Sequence, residues 1–309
     1  MDKFQRNYIL YVCGGDGKEY VFSYPLTIEF NIDRRALSSA NTASIRLYNL
    51  NSNTRKAIFK DYYETATFRS VRLMAGYGDN LSEVLNGNIQ EAKSFREEGS
   101  VNFITQIDCY DWSFAMMNAK SEWTMDSPEY LLPLPRSMVI DRLVSNLEAM
   151  GVARGVINKT GFDLGGAPYS RAFSPTSNNA WDSLRHETND HCFIDNGTVH
   201  CMLDDDCFEG DVVVINSSTG LLSTPKKSKY LLKVDILFEP ALKIGQRVEL
   251  ISTSESLYNG RYKIIGIQHN GIIYGAVGGK CRTSLLLNGG ELVLNLLTGE
   301  TSHKPVPLG

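Results

Sequence analysis

No apolar run in this chain is long enough to cross a membrane. The strongest, Val212-Val213-Val214-Ile215, has the length of a buried strand, far short of the ~20 residues that a spanning helix needs. None of the six cysteines (Cys13, Cys109, Cys192, Cys201, Cys207 and Cys281) forms a CxxC pair. Disulfide frameworks belong to short secreted chains, so scattered cysteines in 309 residues read as buried thiols in a reducing compartment. Positive charge is not in excess either: the formal net charge is −4 and the pI about 5.8. That removes any bulk electrostatic drive toward nucleic acid or an anionic membrane. Near the N-terminus, Lys3 and Arg6 are followed by an apolar run, Tyr8 to Cys13, too short for a signal peptide. The chain reads as a soluble protein made in the cytoplasm.

Catalytic signatures are missing as well. There is no GxSxG and no HExxH. Gly278-Gly279-Lys280-Cys281 imitates a phosphate loop, but Cys281 stands where Ser or Thr is required and no strand–loop–helix unit surrounds it; a turn between strands is the better reading. His186, His191, Cys192, His200, Cys201 and Cys207, near Asp204-Asp205-Asp206, form the densest set of metal-ligand residue types. Their pattern argues against zinc. Asn196-Gly197 is a strong two-residue hairpin turn, which sets Cys192 opposite Cys201 and Phe193 opposite His200. Neighbours such as His191 and Cys192 then point to opposite faces. A three-residue turn would pair Cys192 with His200 and still split neighbours. Acidic pairs are plentiful among the 35 Asp and Glu, but nothing singles one out. The expectation is therefore no catalytic, cofactor-binding or metal residues, no cofactor, and no enzymatic activity. The one basic run, Lys226, Lys227, Lys229 and Lys233, is a solvated loop or a contact for an acidic partner surface.

What is present is β alternation at both ends. Ile28, Phe30 and Ile32 alternate with polar residues, as do Ile45 and Leu47. Strand patterns resume at Val71 to Ala75, Val84 to Ile89 and Val101 to Ile107, with hairpin loops at Gly76 to Asn80 and Glu97 to Gly99. Asn51-Ser52-Asn53 caps a short helix, Thr54 to about Tyr62, with Ala57, Ile58 and Phe59 as its apolar contacts. The middle carries a helix through Ile140, Leu143, Val144, Leu147 and Met150, stopped by Gly151. A Gly/Pro-rich loop (161–175) follows, then a helix with Trp181 and Leu184 capped by Asn178-Asn179, then the hairpin. Strands return at Val234 and Ile236, at Ile244 to Leu250, at Tyr262 to Ile265, at Ile272 to Tyr274 and at Ser284 to Leu287. The fold class is mainly β (α+β).

Two ordered motif sets carry the reading further. One is Ile45-Arg46-Leu47-Tyr48-Asn49-Leu50, then Asn53-Thr54-Arg55, Val71 to Tyr77 and Leu85-Asn86-Gly87-Asn88-Ile89. The other is Ser218 to Pro225, then Leu237-Phe238-Glu239-Pro240-Ala241-Leu242-Lys243-Ile244-Gly245, Asn259-Gly260-Arg261-Tyr262 and His269-Asn270-Gly271. In order and spacing they resemble the baseplate hub proteins of contractile and related phage tails, akin to the hub part of type VI secretion spike proteins. The resemblance extends to about Leu287. It implies two tube-like antiparallel β-barrel domains flanking a small mixed α/β insert: a first barrel over 1–112, a middle domain over 113–210, a second barrel over 211–288 and a C-terminal tail over 289–309. It implies a homotrimer whose six barrels adapt a sixfold tail tube to a threefold spike and form part of the DNA ejection channel. The implied partners are itself, the tail tube or distal tail protein, a central spike, the tape-measure protein and other baseplate proteins, with no sequence-specific nucleic acid and no membrane insertion; the implied location is the virion tail baseplate. The competing readings are a tail-tip cell-wall hydrolase, a receptor-binding protein and a tube terminator.

Overall fold

The computed structural model describes residues 5–37, 39–64, 68–126, 133–165, 168–169, 172–228, 231–275 and 280–289. The first strands are β1 (Arg6–Cys13), β2 (Glu19–Ser23), β3 (Ile28–Arg35) and β4 (Thr42–Tyr48), followed by α1 (Ser52–Ile58), β5 (Ser70–Tyr77), β6 (Asn80–Phe95) and β7 (Ile104–Tyr110). A mixed stretch follows: α2 (Ser113–Asn118), β8 (Met125–Asp126), α3 (Arg136–Glu148), β9 (Ala153–Ile157), α4 (Lys159–Gly165), β10 (Ala172–Phe173), α5 (Ala180–Thr188), β11 (Cys192–Asp195) and β12 (Thr198–Cys201). Strands then resume as β13 (Val213–Ile215), β14 (Lys226–Ser228), β15 (Leu231–Leu237), β16 (Arg247–Leu250), β17 (Gly260–Ile273) and β18 (Cys281–Asn288). The chain forms two compact units. One holds residues 1–35, 41–111 and 207–309; the other holds 36–40 and 112–206.

The β unit is one 13-stranded sheet with the main path β14-β15-β18-β17-β3-β4-β7-β6-β5-β1-β2, and β13 and β16 branching from β17. The fold is mainly β and antiparallel, as the alternation indicates. The strands at the two ends of the sequence do not form separate sheets. β3 pairs with β17 over eight residues, from Ile28↔Ile273 to Arg35↔Gly266, and β17 pairs with β18 on its other edge. Among the described residues the path does not close on itself. Period-2 patterning decides the core. Ile28, Phe30 and Ile32, Ile45 and Leu47, and Val71, Leu73 and Ala75 are all buried, while Asn31, Arg35 and Arg72 between them are exposed. Each fully buried Ile, Leu or Phe contributes ~1.5–3 kcal/mol.

Several local expectations change. The helix expected over Thr54–Tyr62 is capped by Asn51, whose side chain accepts from the Thr54 N–H, but it ends at Ile58. Lys60 then pairs its backbone N–H and C=O with Ala92 of β6, which pulls the chain out of helix and leaves Phe59 exposed rather than buried. Val101 lies outside β7 and is exposed. The expected Gly/Pro loop over 161–175 includes part of α4, which buries Phe162, and the two-residue strand β10. Of the Val212–Ile215 run only Ile215 is buried. The apolar run at Tyr8–Cys13 is a central strand, β1, held between β2 and β5. The C-terminal tail apart from residue 289, Gly278-Gly279 of the phosphate-loop imitation and Lys229 of the basic run lie outside the described residues.

Gly87 of the first motif set has a physical reason to be glycine. A Cβ there would stand 2.4 Å from the Tyr110 carbonyl oxygen and 3.0 Å from its carbon. Backbone cannot swing aside, so Gly87→Ala is expected to cost ~1–3 kcal/mol, read as a lower urea midpoint with an unchanged m-value. An unchanged midpoint would show that β6 and β7 separate freely at this point.

Candidate functional site: a polar sheet face and the seam behind it

Strand register sets polar side chains in rows. Asp235 stands opposite Ser284, Ser284 opposite Gln268, Gln268 opposite Asp33, Asp33 opposite Thr42, Thr42 opposite Tyr110 and Tyr110 opposite Asn88. The next row runs Arg282, Asn270, Asn31, Ser44, Asp108, Glu91. Alternation puts these on one face and the apolar core on the other. Both rows pass from β17 to β3 without interruption, so strands far apart in sequence share one polar surface. Its charges are of both signs and largely paired. Arg35 bonds Asp33 at 2.9 Å, Lys93 bonds Glu91 at 2.8 Å, and Arg46 lies 3.9 Å from Glu29. Tyr48 donates to Glu29 at 2.8 Å, and burial with that carboxylate pushes its phenol up to about 12. Toward the β6 side, Asn31, Ser44, Tyr62, Gln90, Glu91 and Asp108 help to line an open groove of about 340 Å³.

Behind this face lies an aromatic seam. Phe238, fully buried just after β15, has its ring centroid 5.7 Å from Phe30 of β3, 6.2 Å from Tyr77 of β5 and 5.5 Å from His269 of β17. The Tyr77 hydroxyl donates to the Phe238 carbonyl at 2.8 Å. His269 is fully buried with Nδ1 2.9 Å from Thr283 Oγ1; burial, and secondarily the Arg34 guanidinium, push its pKa down to about 3. The second motif set thus places Phe238 and His269 where the two ends of the chain meet. Its other members sit in turns: the Ser218 and Thr219 N–H groups donate to the Asn216 side chain, and the Asn259 side chain accepts from Ser252 N–H. The Gly220 N–H and C=O bond Asn216 and Leu237.

In the helical unit the hairpin has the expected two-residue register, Cys192↔Cys201, Phe193↔His200, Ile194↔Val199. Cys192 and Cys201 are buried free thiols; burial pushes Cys192 up to about 12. His200 stacks on Phe193 at 5.1 Å and accepts from Val156 N–H, and His191 lies 3.6 Å from Asp204. Among the described residues no group of three His, Cys, Asp or Glu side chains is placed to hold a metal. Gly197 adopts φ +76° beneath the Trp112 indole, where a Cβ would meet Nε1 at 2.2 Å. The buried Glu187 accepts from Tyr169 and lies 3.0 Å from His186 Nδ1 and 3.9 Å from Arg136. This polar knot ties α5 to its neighbours. No helix among the described residues is long and apolar enough to cross a membrane.

The family model described as baseplate hub gp41 matches residues 175–270. That span runs from the approach to α5 through the hairpin to Asn270 in β17, and holds nearly all of the second motif set. Among curated proteins none matches the chain. Among solved structures, a tail protein from Neisseria meningitidis MC58 is 12% identical with a TM-score of 0.55, covering 91% of this chain and 96% of its own. The 43 kDa tail protein of prophage MuSo2 from Shewanella oneidensis is 8% identical with a TM-score of 0.55, covering 90% and 97%. The E. coli c3393 protein, described as a component of the type VI secretion system with structural similarity to phage T4 tail proteins gp27 and gp5, is 8% identical with a TM-score of 0.51, covering 85% and 74%. The chain thus shares its fold with phage tail proteins and a type VI secretion component, and the hub resemblance suggested by the motifs recurs in the family match.

Proposed function

We propose that this chain is a structural baseplate hub of a phage tail, a homotrimer in which each subunit contributes two tube-like β halves. The observation that carries the reading is the β3–β17 seam within a chain whose residues 175–270 match the hub family. Strands β1 to β7 with α1 make one half, and β13 to β18 make the other. Three copies then present six halves, which match a sixfold tail tube on one side and a threefold spike on the other. Such a ring uses heterologous contacts that close.

On this reading the stretch of the polar face between its two ends, across β17 and β3, lines the ejection channel. DNA binds proteins largely through neutralised phosphates and released counterions, so a bore rich in unpaired Lys and Arg would retain it. On this face Arg35, Arg46 and Lys93 are paired with Asp33, Glu29 and Glu91, which lowers its hold on DNA. The partners are the tail tube or distal tail protein, the central spike, the tape-measure protein and other baseplate proteins, and the site of action is the virion tail. Residues 291–309 are proposed to reach the spike; the matched proteins are tail and secretion-system structural parts, which favours a non-enzymatic role.

Native mass spectrometry of the reduced protein tests this. A metal-free trimer, formed alone or on adding tube and spike proteins, is the expected result. A monomer that retains zinc and binds neither partner would overturn it.

A further inference from the structure

The polar face is bounded by two like-charged pairs of opposite sign. At one end Lys226 of β14 stands directly opposite Lys233 of β15, both exposed. Toward the other, Asp108 of β7 stands directly opposite Glu91 of β6. Like charges facing each other across a strand pair are destabilising. At the acidic end the cost is partly offset: Lys93 bonds Glu91, and the Gln106 amide donates to both Asp108 oxygens. Among the described residues neither Lys226 nor Lys233 has an ion-pair partner.

Both ends are also strand edges. Among the described residues β14 is bonded on one side only, by β15, and residues 93–95 of β6 pair with β7 alone. The acidic end carries exposed aromatic surface beside the groove: Tyr62 is 52% exposed, Tyr63 86% and Phe59 53%, with the Tyr62 and Tyr63 rings edge to face at 5.6 Å. Aromatics are enriched in interfaces, and a lysine ammonium is attracted to an aromatic face.

We propose that the β14–β15 edge of one subunit seats in the Tyr62–Glu91–Asp108 groove of a second copy, with Lys226 and Lys233 meeting Glu91 and Asp108. This rests on the trimeric reading above and names its contact. The donor edge and acceptor groove lie at different ends of one polar face, so the contact is heterologous and repeats around a ring. It also covers the β14 edge, which would otherwise be free to aggregate.

The test is a charge-swap cycle on the full chain, read by native mass spectrometry and sedimentation, with thermal unfolding as a check that each variant folds. Glu91→Lys, and separately Lys226→Glu with Lys233→Glu, should each raise the concentration needed for trimer by about tenfold or more. Combining them should restore most of the loss, and raising salt to 1 M should weaken the wild type. A wild-type trimer indifferent to each reversal and to salt overturns this contact and leaves the hub reading standing. A wild type that stays monomeric at all concentrations, with and without tube and spike proteins, overturns both.

Discussion

Phe238→Ala is expected to destabilise the β unit by about 3–5 kcal/mol, the cost of emptying a well-packed phenylalanine site. Phe238 is fully buried, and its ring lies against side chains from β3, β5 and β17. No one of those strands can close the cavity alone, because each is fixed by ladder bonds on both edges. The hydroxyl of Tyr77 is anchored on the Phe238 carbonyl, so relaxation there would strain a buried hydrogen bond. Phe238→Leu, which keeps most of the volume, should cost less than half as much. Urea unfolding followed by far-UV circular dichroism, which sees the sheet, measures both. Trp112, Trp123 and Trp181 all lie in the helical unit, so tryptophan fluorescence is a second, separate probe. A Phe238→Ala midpoint within 1 kcal/mol of wild type would mean that the seam is not a packed core.

How much of this was legible beforehand varies with the range of the interaction that decides it. Alternation is local, and it located β3, β4, β5 and β15 with the right face inward. Caps and turns are local too: Asn51, Asn179, Gly151 and Asn196-Gly197 act where their chemistry suggested. The end of α1 was not legible, because Lys60 leaves helix to pair with Ala92, more than thirty residues on. β1 is masked in the sequence because an apolar run so near the N-terminus resembles a targeting segment, although Tyr8, Leu10 and Val12 alternate inward. The candidate site depends most on distant pairing. Asn31 opposite Asn270 joins residues 239 positions apart, and no window of sequence contains both. The motif order hinted at Phe238 and His269, but a motif gives no contact, and only the fold brings the His269 ring to Phe238 and the Phe238 ring to Phe30.

Lowering the pH from 7.5 to 4 is expected to weaken the β unit through His269. Three groups face its imidazole: Thr283 of β18, which shares a hydrogen bond with Nδ1, the ring of Phe238, and the Arg34 guanidinium of β3. Burial first, and the Arg34 charge second, disfavour the protonated ring and lower its pKa from 6.5 to about 3. The unfolded chain therefore takes up a proton near pH 6.5, and the folded chain does not until about pH 3. Between those values the unfolded state binds more protons, so stability falls as pH falls. The contribution is whole above the unfolded value and is lost progressively through this window; the loss reaches on the order of 4–5 kcal/mol at its foot. Carboxylates add their own slope, so the informative quantity is a difference. His269→Asn keeps a polar atom near the place of Nδ1 and removes the titration. It should be less stable than wild type at pH 7.5, because ring volume is lost, and the gap should narrow by about 3 kcal/mol by pH 4. Urea midpoints across that range give the answer, together with imidazole chemical shifts, which should stay those of a neutral ring at pH 5. Parallel stability curves, or a ring that titrates near 6.5 in the folded protein, would mean that the seam admits water. The two ends of the chain would then be joined at β3–β17 by backbone pairing with a wet interior behind it, and Phe238→Ala should cost correspondingly little.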